Sequence, residues 1–134
     1  MIDHVSIPVS DLQSAGRFYD AVLGVLGMRR LDDRPATIGY GKRYSEFWLN
    51  ARPGLVPAPA GSGLHICLRA RSTDLVDAFH AAALKAGGGD DGAPGPRPHF
   101  GTGYYAAFIT DPDGNRIEVV TFRDAGAGDT GDDG

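Results

Sequence analysis

IDHVSIPVSDLQSAGRFYDAVLGVLGM, residues 2–28, decides the fold, because its apolar period changes from two residues to about 3.6 at a single point. Ile2 to Val9 alternates and is β-branched, which predicts a strand. Ser10 then offers an N-cap, with Gln13 at the capping-box offset and Asp11 placing negative charge in the first turn. From Leu12 to Leu26 the residues Leu12, Ala15, Phe18, Tyr19, Val22 and Leu23 recur at intervals of three and four. That spacing predicts an amphipathic helix ending near Gly24 to Gly27.

Three short strands are expected next, over Met28 to Leu31, Ala36 to Tyr40 and Ser45 to Asn50. The stretch ARPGLVPAPAGS, residues 51–62, is a linker by its Pro, Gly and Ala content. Gly63 to Ala70 reads as a strand again. Ser72 or Thr73 caps a second helix carrying Leu75, Val76, Phe79, Ala83 and Leu84 on one face, stopped by Gly87-Gly88-Gly89. A weak strand near residues 88–92 is followed by APGPRPHFGTG, residues 93–103, too rich in Pro and Gly for regular structure. Tyr104 to Thr110 and Arg116 to Phe122 are strands joined by Asp111-Pro112-Asp113-Gly114-Asn115, whose Pro, Gly and Asn suit a tight turn. The Gly/Asp-rich residues 124–134 are expected to be disordered.

Strand, helix and three strands thus occur twice. At an offset of 61 residues His4 falls on His65, Phe18 on Phe79 and Leu23 on Leu84, which points to duplication. The expected architecture is α+β: one domain over residues 1–123, made of module one (1–50), the linker and module two (63–123). Neither half could bury its sheet face alone. Two pseudo-symmetric sheets curving together would enclose a cleft lined from both sides.

The bulk composition is that of one soluble globular domain: 134 residues, 42% hydrophobic and 22% charged. A formal charge of −4 argues against nucleic-acid binding, which needs a concentrated basic face. Cys67 is the single cysteine, so nothing requires an oxidising compartment. The N-terminal residues lack the basic start and apolar run of a signal peptide, and no apolar stretch approaches the roughly 20 residues of a membrane helix. The expected location is the cytoplasm.

Four residues stand out as ligands. His4 and His65 open the two halves, Glu46 lies on the last strand of the first, and Glu118 on the last strand of the second. Duplication would turn one His/Glu pair into a four-point site. Imidazoles with one or two carboxylates suit Zn, Ni, Mn, Co or Fe(II) and leave positions open for substrate oxygens. Glu118 sits between Ile117 and Val119, and His65 between Leu64 and Ile66, so the polar side chains face opposite to the apolar ones. A charge so placed needs a partner, which a metal or a water-filled cleft supplies. Trp48 shares parity with Glu46 and walls the pocket if Glu46 points inward. Cys67 reads as a small buried hydrophobe or as part of the His65 face, and Tyr104 as core or cleft wall. His99, in the Pro/Gly-rich loop, is placed to reach over the cleft, whereas His80 reads as a solvated surface residue.

Residues 2–28 resemble the first strand and helix of the vicinal-oxygen-chelate superfamily, the glyoxalase/bleomycin-resistance/dioxygenase family. YYAAFITDPDGNRIEVV, residues 104–120, is similar to that family's closing hairpin, in which a glutamate ligand follows the DPDGN turn. The resemblance spans residues 1–122. It implies paired βαβββ modules in a cupped eight-stranded mixed sheet with the helices outside, a homodimer, and a divalent metal chelated by vicinal oxygens of a small-molecule substrate. His4, His65 and Glu118 fall on the family's ligand positions. Glu46 is the fourth, because SEFWLN resembles the glyoxalase strand in which a glutamate precedes an asparagine by four residues. The implied activity is that of a metal-dependent lyase or isomerase similar to glyoxalase I, with Glu118 or Glu46 shuttling a proton to and from an enediolate. If Glu46 points outward, the remaining triad resembles that of an Fe(II) extradiol dioxygenase. A third possibility implied by the family is a metal-free drug-binding protein of the bleomycin-resistance kind.

Overall fold

The computed structural model describes residues 1–124 and 128–129. It contains β1 (Val5–Val9), α1 (Leu12–Val25), β2 (Arg29–Asp33), β3 (Thr37–Gly41) and β4 (Phe47–Ala51). After the linker come β5 (Ile66–Arg69), α2 (Thr73–Lys85), β6 (Gly89–Pro96), β7 (Tyr104–Thr110) and β8 (Arg116–Asp124). The two βαβββ modules are therefore present. Each makes a four-stranded mixed sheet, in the orders β1-β4-β3-β2 and β5-β8-β7-β6, with its first strand parallel to its last. A two-residue strand, β9 (Gly128–Asp129), pairs with the end of β8 within the stretch expected to be disordered. Residues 125–127 and 130–134 of that stretch lie outside the described residues. Among the described residues no helix is long and apolar enough to cross a membrane.

The first cap falls one residue later than expected. Asp11, not Ser10, holds α1, its carboxylate accepting from the amides of Gln13 and Ser14 at 3.1 Å each. The shorter offset lets one side chain satisfy two of the helix's free amides. Ser72 caps α2 through the Leu75 amide at 3.2 Å, while Asp74 and Lys85 match the helix dipole at its two ends.

One core serves both modules. Phe18, Tyr19, Val22 and Leu23 of α1 meet Val76, Phe79 and Ala83 of α2, and the apolar faces of both sheets close over them. The buried residues Val76, Phe79, His80 and Ala83 follow the i, i+3, i+4, i+7 pattern, which corrects the placement of His80. His80 is buried, with Nε2 3.0 Å from Asp90 Oδ1 on β6, whereas Leu84 is exposed at the margin of the stripe.

The second correction is β6 itself, eight residues long through a segment read as largely irregular. It is an edge strand, so Pro94 and Pro96 cost no ladder bonds on its open side, and bulges around Gly92 absorb the irregular spacing.

The DPDGN turn fastens one module to the other. Asp111 is buried; its Oδ1 accepts from the amides of Asp113 (2.9 Å) and Asn115 (2.8 Å), and its Oδ2 from Tyr19 Oη–H (2.7 Å) and Asn115 Nδ2 (2.9 Å). Asn115 Nδ2 also donates to the Pro8 carbonyl at 3.0 Å, and Asp113 accepts from the Ser10 amide at 3.1 Å. Burial raises the Asp111 pKa above the aspartate norm, and the hydrogen bonds from Asn115 and Tyr19 pull against it. The turn thereby sets where β8, and Glu118 on it, stands.

Candidate metal centre

On β5 and β8 the pleat sends Ile66, Ile117 and Val119 towards the helices and His65, Cys67 and Glu118 to the opposite face. His65 directly precedes β5, as His4 precedes β1. Glu118 is 3% exposed, and both its oxygens are engaged. Oε1 lies 3.1 Å from His65 Nε2, and Oε2 accepts a hydrogen bond from the Tyr104 hydroxyl. Phe108, opposite Glu118 on β7, sets its ring 6.0 Å from that of His65. Cys67 is the partner of Glu118 in the parallel register. Although its surface is exposed, loss of water around the sulfur, followed by the Glu118 charge, pushes its pKa up to about 12. Burial and then the bond to Glu118 likewise raise the Tyr104 phenol well above its usual value.

The imidazole partners define which nitrogen carries hydrogen. His65 Nδ1 faces the Gly63 carbonyl at 3.0 Å, and a carbonyl only accepts, so Nδ1 is an N–H and, in the neutral ring, Nε2 holds the lone pair. Nε2 then confronts the carboxylate of Glu118: two acceptors at 3.1 Å require a proton or a metal cation between them. His4 repeats the arrangement, its Nδ1 2.8 Å from Asp3 Oδ2, with no hydrogen bond to its Nε2 among the described residues. That hydrogen bond is the main reason the Asp3 pKa falls below the aspartate norm, and Tyr44 donates to the other Asp3 oxygen at 3.3 Å. An acceptor on Nδ1 of each histidine is how proteins orient imidazoles for metals. The donor set, two Nε2 atoms and a buried carboxylate, fits a divalent transition metal. Asp3 and the Gly63 carbonyl escaped the sequence reading; the adjacency of Asp3 to His4 was the one signal available for them.

Among the described residues of one chain these candidate donors are not assembled. Among the described residues no three His, Cys, Asp or Glu side chains come together as a metal-holding group. His4 lies on the other module from the His65–Glu118 pair. It lines, with Glu46, His65 and Cys67, a cavity of about 640 Å³ between the modules.

The duplication does not pair Glu46 with Glu118. β1 and β4 place Val5 beside Phe47, and β5 and β8 place Ile66 beside Ile117. Since Val5 corresponds to Ile66, Phe47 corresponds to Ile117, Glu46 to Arg116, and Trp48 to Glu118. Glu46 is exposed, its backbone tied to Val5 and Tyr40. Trp48 is half-buried beside Ser6 and Gly39, with the Arg34 guanidinium 5.5 Å from its ring. His99 is exposed, its ring tilted against that of Phe100 with centroids 4.1 Å apart, and Phe100 in turn packs edge-on against Tyr104. It is thus one ring removed from the residue that holds Glu118.

The profile of the Glyoxalase/Bleomycin resistance protein/Dioxygenase superfamily matches residues 1–119. Lactoylglutathione lyase of Salmonella typhimurium is 31% identical over 134 residues, covering 93% of this chain and 95% of that protein. A solved glyoxalase/bleomycin resistance protein from Albidiferax ferrireducens T118 superposes with a TM-score of 0.78 at 34% identity, covering 90% of this chain and 98% of that one. A glyoxalase I mutant from Zea mays shares the fold, with a TM-score of 0.66 at 23% identity over 87% of this chain and 45% of that one.

Proposed function

This chain belongs to the Glyoxalase/Bleomycin resistance protein/Dioxygenase superfamily, and from that premise we propose that it is a metal-dependent enzyme of lyase or isomerase type acting on a small substrate with neighbouring oxygens. The observation that carries the reading is His65 Nε2 facing Glu118 Oε1 at 3.1 Å, an acceptor pair that a cation completes. His4, His65 and Glu118 would hold a divalent transition metal, which when bound supplies Lewis acidity to the substrate's oxygens. Because no three of these donors come together among the described residues of one chain, on this reading the centre is completed between two copies, each lending His4 to the other's His65–Glu118 pair.

The chain's own groups divide the remaining work. The Gly63 carbonyl and Asp3 orient the two imidazoles. Tyr104 and His65 occupy both oxygens of Glu118, which suits a fixed ligand better than a mobile base. Glu46, exposed at the wall of the cavity that His4 lines, is the carboxylate left to take a proton from the carbon beside a substrate carbonyl and return it. Cys67 stays a neutral thiol on the same face and, with Tyr104, lines the substrate's approach; His99 edges that approach.

A second reading has its own support. With Trp48 where the duplication calls for a carboxylate, two histidines and one carboxylate remain, the donor set of Fe(II) oxygenases. The test is elemental analysis of untagged protein purified without chelator, with apo protein retitrated across Ni, Zn, Mn and Fe(II), beside His4→Ala and Glu118→Ala. About one metal per site, lost in both variants while the fold survives, supports the enzyme reading, and Fe(II) in particular would favour the oxygenase. No metal and no affinity on titration would replace it with the metal-free drug-binding reading.

A further inference from the structure

We infer that the fourth corner of the centre is not a ligand but the indole of Trp48, so that the site takes a substrate with a flat, unsaturated frame beside its chelating oxygens. The inference rests on the metal-site reading and deepens it. Its basis is the register: the residue that stands to β4 as Glu118 stands to β8 is Trp48. The burial pattern agrees, since Phe47 and Leu49 face the core on either side of Trp48 as Ile117 and Val119 do on either side of Glu118. Parity therefore sends Trp48 to the ligand-bearing face of its module.

A second observation shows that the exchange is built in. On the neighbouring strand Trp48 is opposite Gly39, whereas Glu118 is opposite Phe108. Each pair sets one aromatic ring beside a smaller residue, with the ring on the last strand in module one and on the strand before it in module two. A Cβ on Gly39 would stand 2.8 Å from the Trp48 ring and closer still to the Ser45 hydroxyl, so the glycine is what lets the indole lie down on β3. Arg34, at 5.5 Å, steadies the ring by a cation–π contact. Module two gives its ligand a phenylalanine neighbour, and module one gives its indole the room of a glycine.

The consequences are chemical. An indole contributes no lone pair to a metal, so one more coordination position stays open to substrate or water than in a symmetrical two-His, two-Glu centre. The surface beside that position is aromatic, and it favours ligands that stack over aliphatic ones bearing the same chelating atoms. Glu46 is two residues off the ligand height, about 6.6 Å along the strand at roughly 3.3 Å per residue, and so is not a ligand of the centre.

The experiment uses the full chain and calorimetric titration with Ni(II), followed by titration of the loaded protein with acetohydroxamate and benzohydroxamate. Trp48→Glu supplies the missing carboxylate and binds Ni(II) at least tenfold tighter than wild type, whereas Glu46→Gln binds it as wild type does. Benzohydroxamate binds the loaded wild type about three- to tenfold tighter than acetohydroxamate, and Trp48→Leu abolishes that preference while leaving acetohydroxamate affinity unchanged. A loss of Ni(II) affinity in Glu46→Gln, no gain in Trp48→Glu, or a preference that survives Trp48→Leu overturns the inference and leaves the metal-enzyme reading standing. No Ni(II) binding by wild type overturns both. Should Trp48→Glu fail to fold, Glu46→Gln and Trp48→Leu still decide the matter, because neither introduces a charge at that position.

Discussion

Replacing Glu118 by glutamine should have opposite effects on the empty and the metal-loaded protein. In the empty chain the Glu118 side chain is 4% exposed, and its Oε1 faces His65 Nε2 at 3.1 Å. Glutamine is the same shape. Its amide N–H donates to His65 Nε2 and its oxygen accepts from Tyr104, so every partner is kept and a buried charge disappears. With His65 neutral, exchanging the buried carboxylate for an amide that donates to Nε2 removes an unpaired buried charge and stabilises the metal-free protein by about 1–3 kcal/mol. For a chain of 134 residues, that raises the melting temperature of metal-free protein by roughly 3–10 °C. The carboxylate is also the only anionic member of the proposed ligand set, so affinity for Ni or Zn should fall at least about 100-fold, close to 2.7 kcal/mol. Thermal melts in chelator and calorimetric titration of the same preparation read both effects. A drop in the metal-free melting temperature would mean that Glu118 is held as a net-favourable ion pair with protonated His65. Unchanged metal affinity would remove Glu118 from the ligand set.

Tyr104→Phe deletes the donor to Glu118 Oε2, and metal affinity should fall about tenfold by calorimetry while the far-ultraviolet spectrum stays as it is. Tyr19→Phe removes the bond to the buried Asp111 carboxylate that ties α1 to the DPDGN turn, and urea denaturation should show a loss of about 1.5–3 kcal/mol; an unchanged midpoint would show that Asn115 and the turn amides suffice. The pKa of Asp90 is lowered by its hydrogen bond to His80 and by the Gly92 amide, so its ionised form favours the folded state above the ordinary aspartate value of 3.8, and that contribution fades as pH falls through the folded value below it. Asp90→Asn should therefore be less stable than wild type near neutral pH, with the gap closing in acid below 3.8; a gap independent of pH would sink the assignment.

The order of elements was legible because each is declared locally: the change of period at Ser10–Leu12, the glycines after each helix, the turn at residues 111–115. His80 was legible in principle, since positions 76, 79, 80 and 83 form one helical stripe, but a polar residue on such a stripe is recognisable only once Asp90 is known to reach it. β6 was hidden because the Pro and Gly that argue against a strand lose their force at a sheet edge, and edge position is a tertiary fact.

The candidate site shows the limit of local patterning most sharply. Alternation along β4 correctly gives Glu46 and Trp48 the same face, but it says nothing about which of them stands level with the histidines. That height is set by how β4 returns from β3, where Tyr40 meets Phe47 across the turn, and by how β8 returns from β7, where Ile109 meets Ile117. The spans are seven and eight residues, so the two turns differ by one residue, and a one-residue difference cannot be matched by eye between segments that share no motif. A shared motif, Glu four residues before Asn, drew the reading to Glu46. The ladder draws it to Trp48, because a metal ligand is defined by a position in space to within a fraction of an ångström, and two residues of strand displace it by about 6.6 Å. Parity can be read from residue types; height belongs to the pairing of strands, and in a duplicated fold it is height that decides whether the second copy of a ligand is still one.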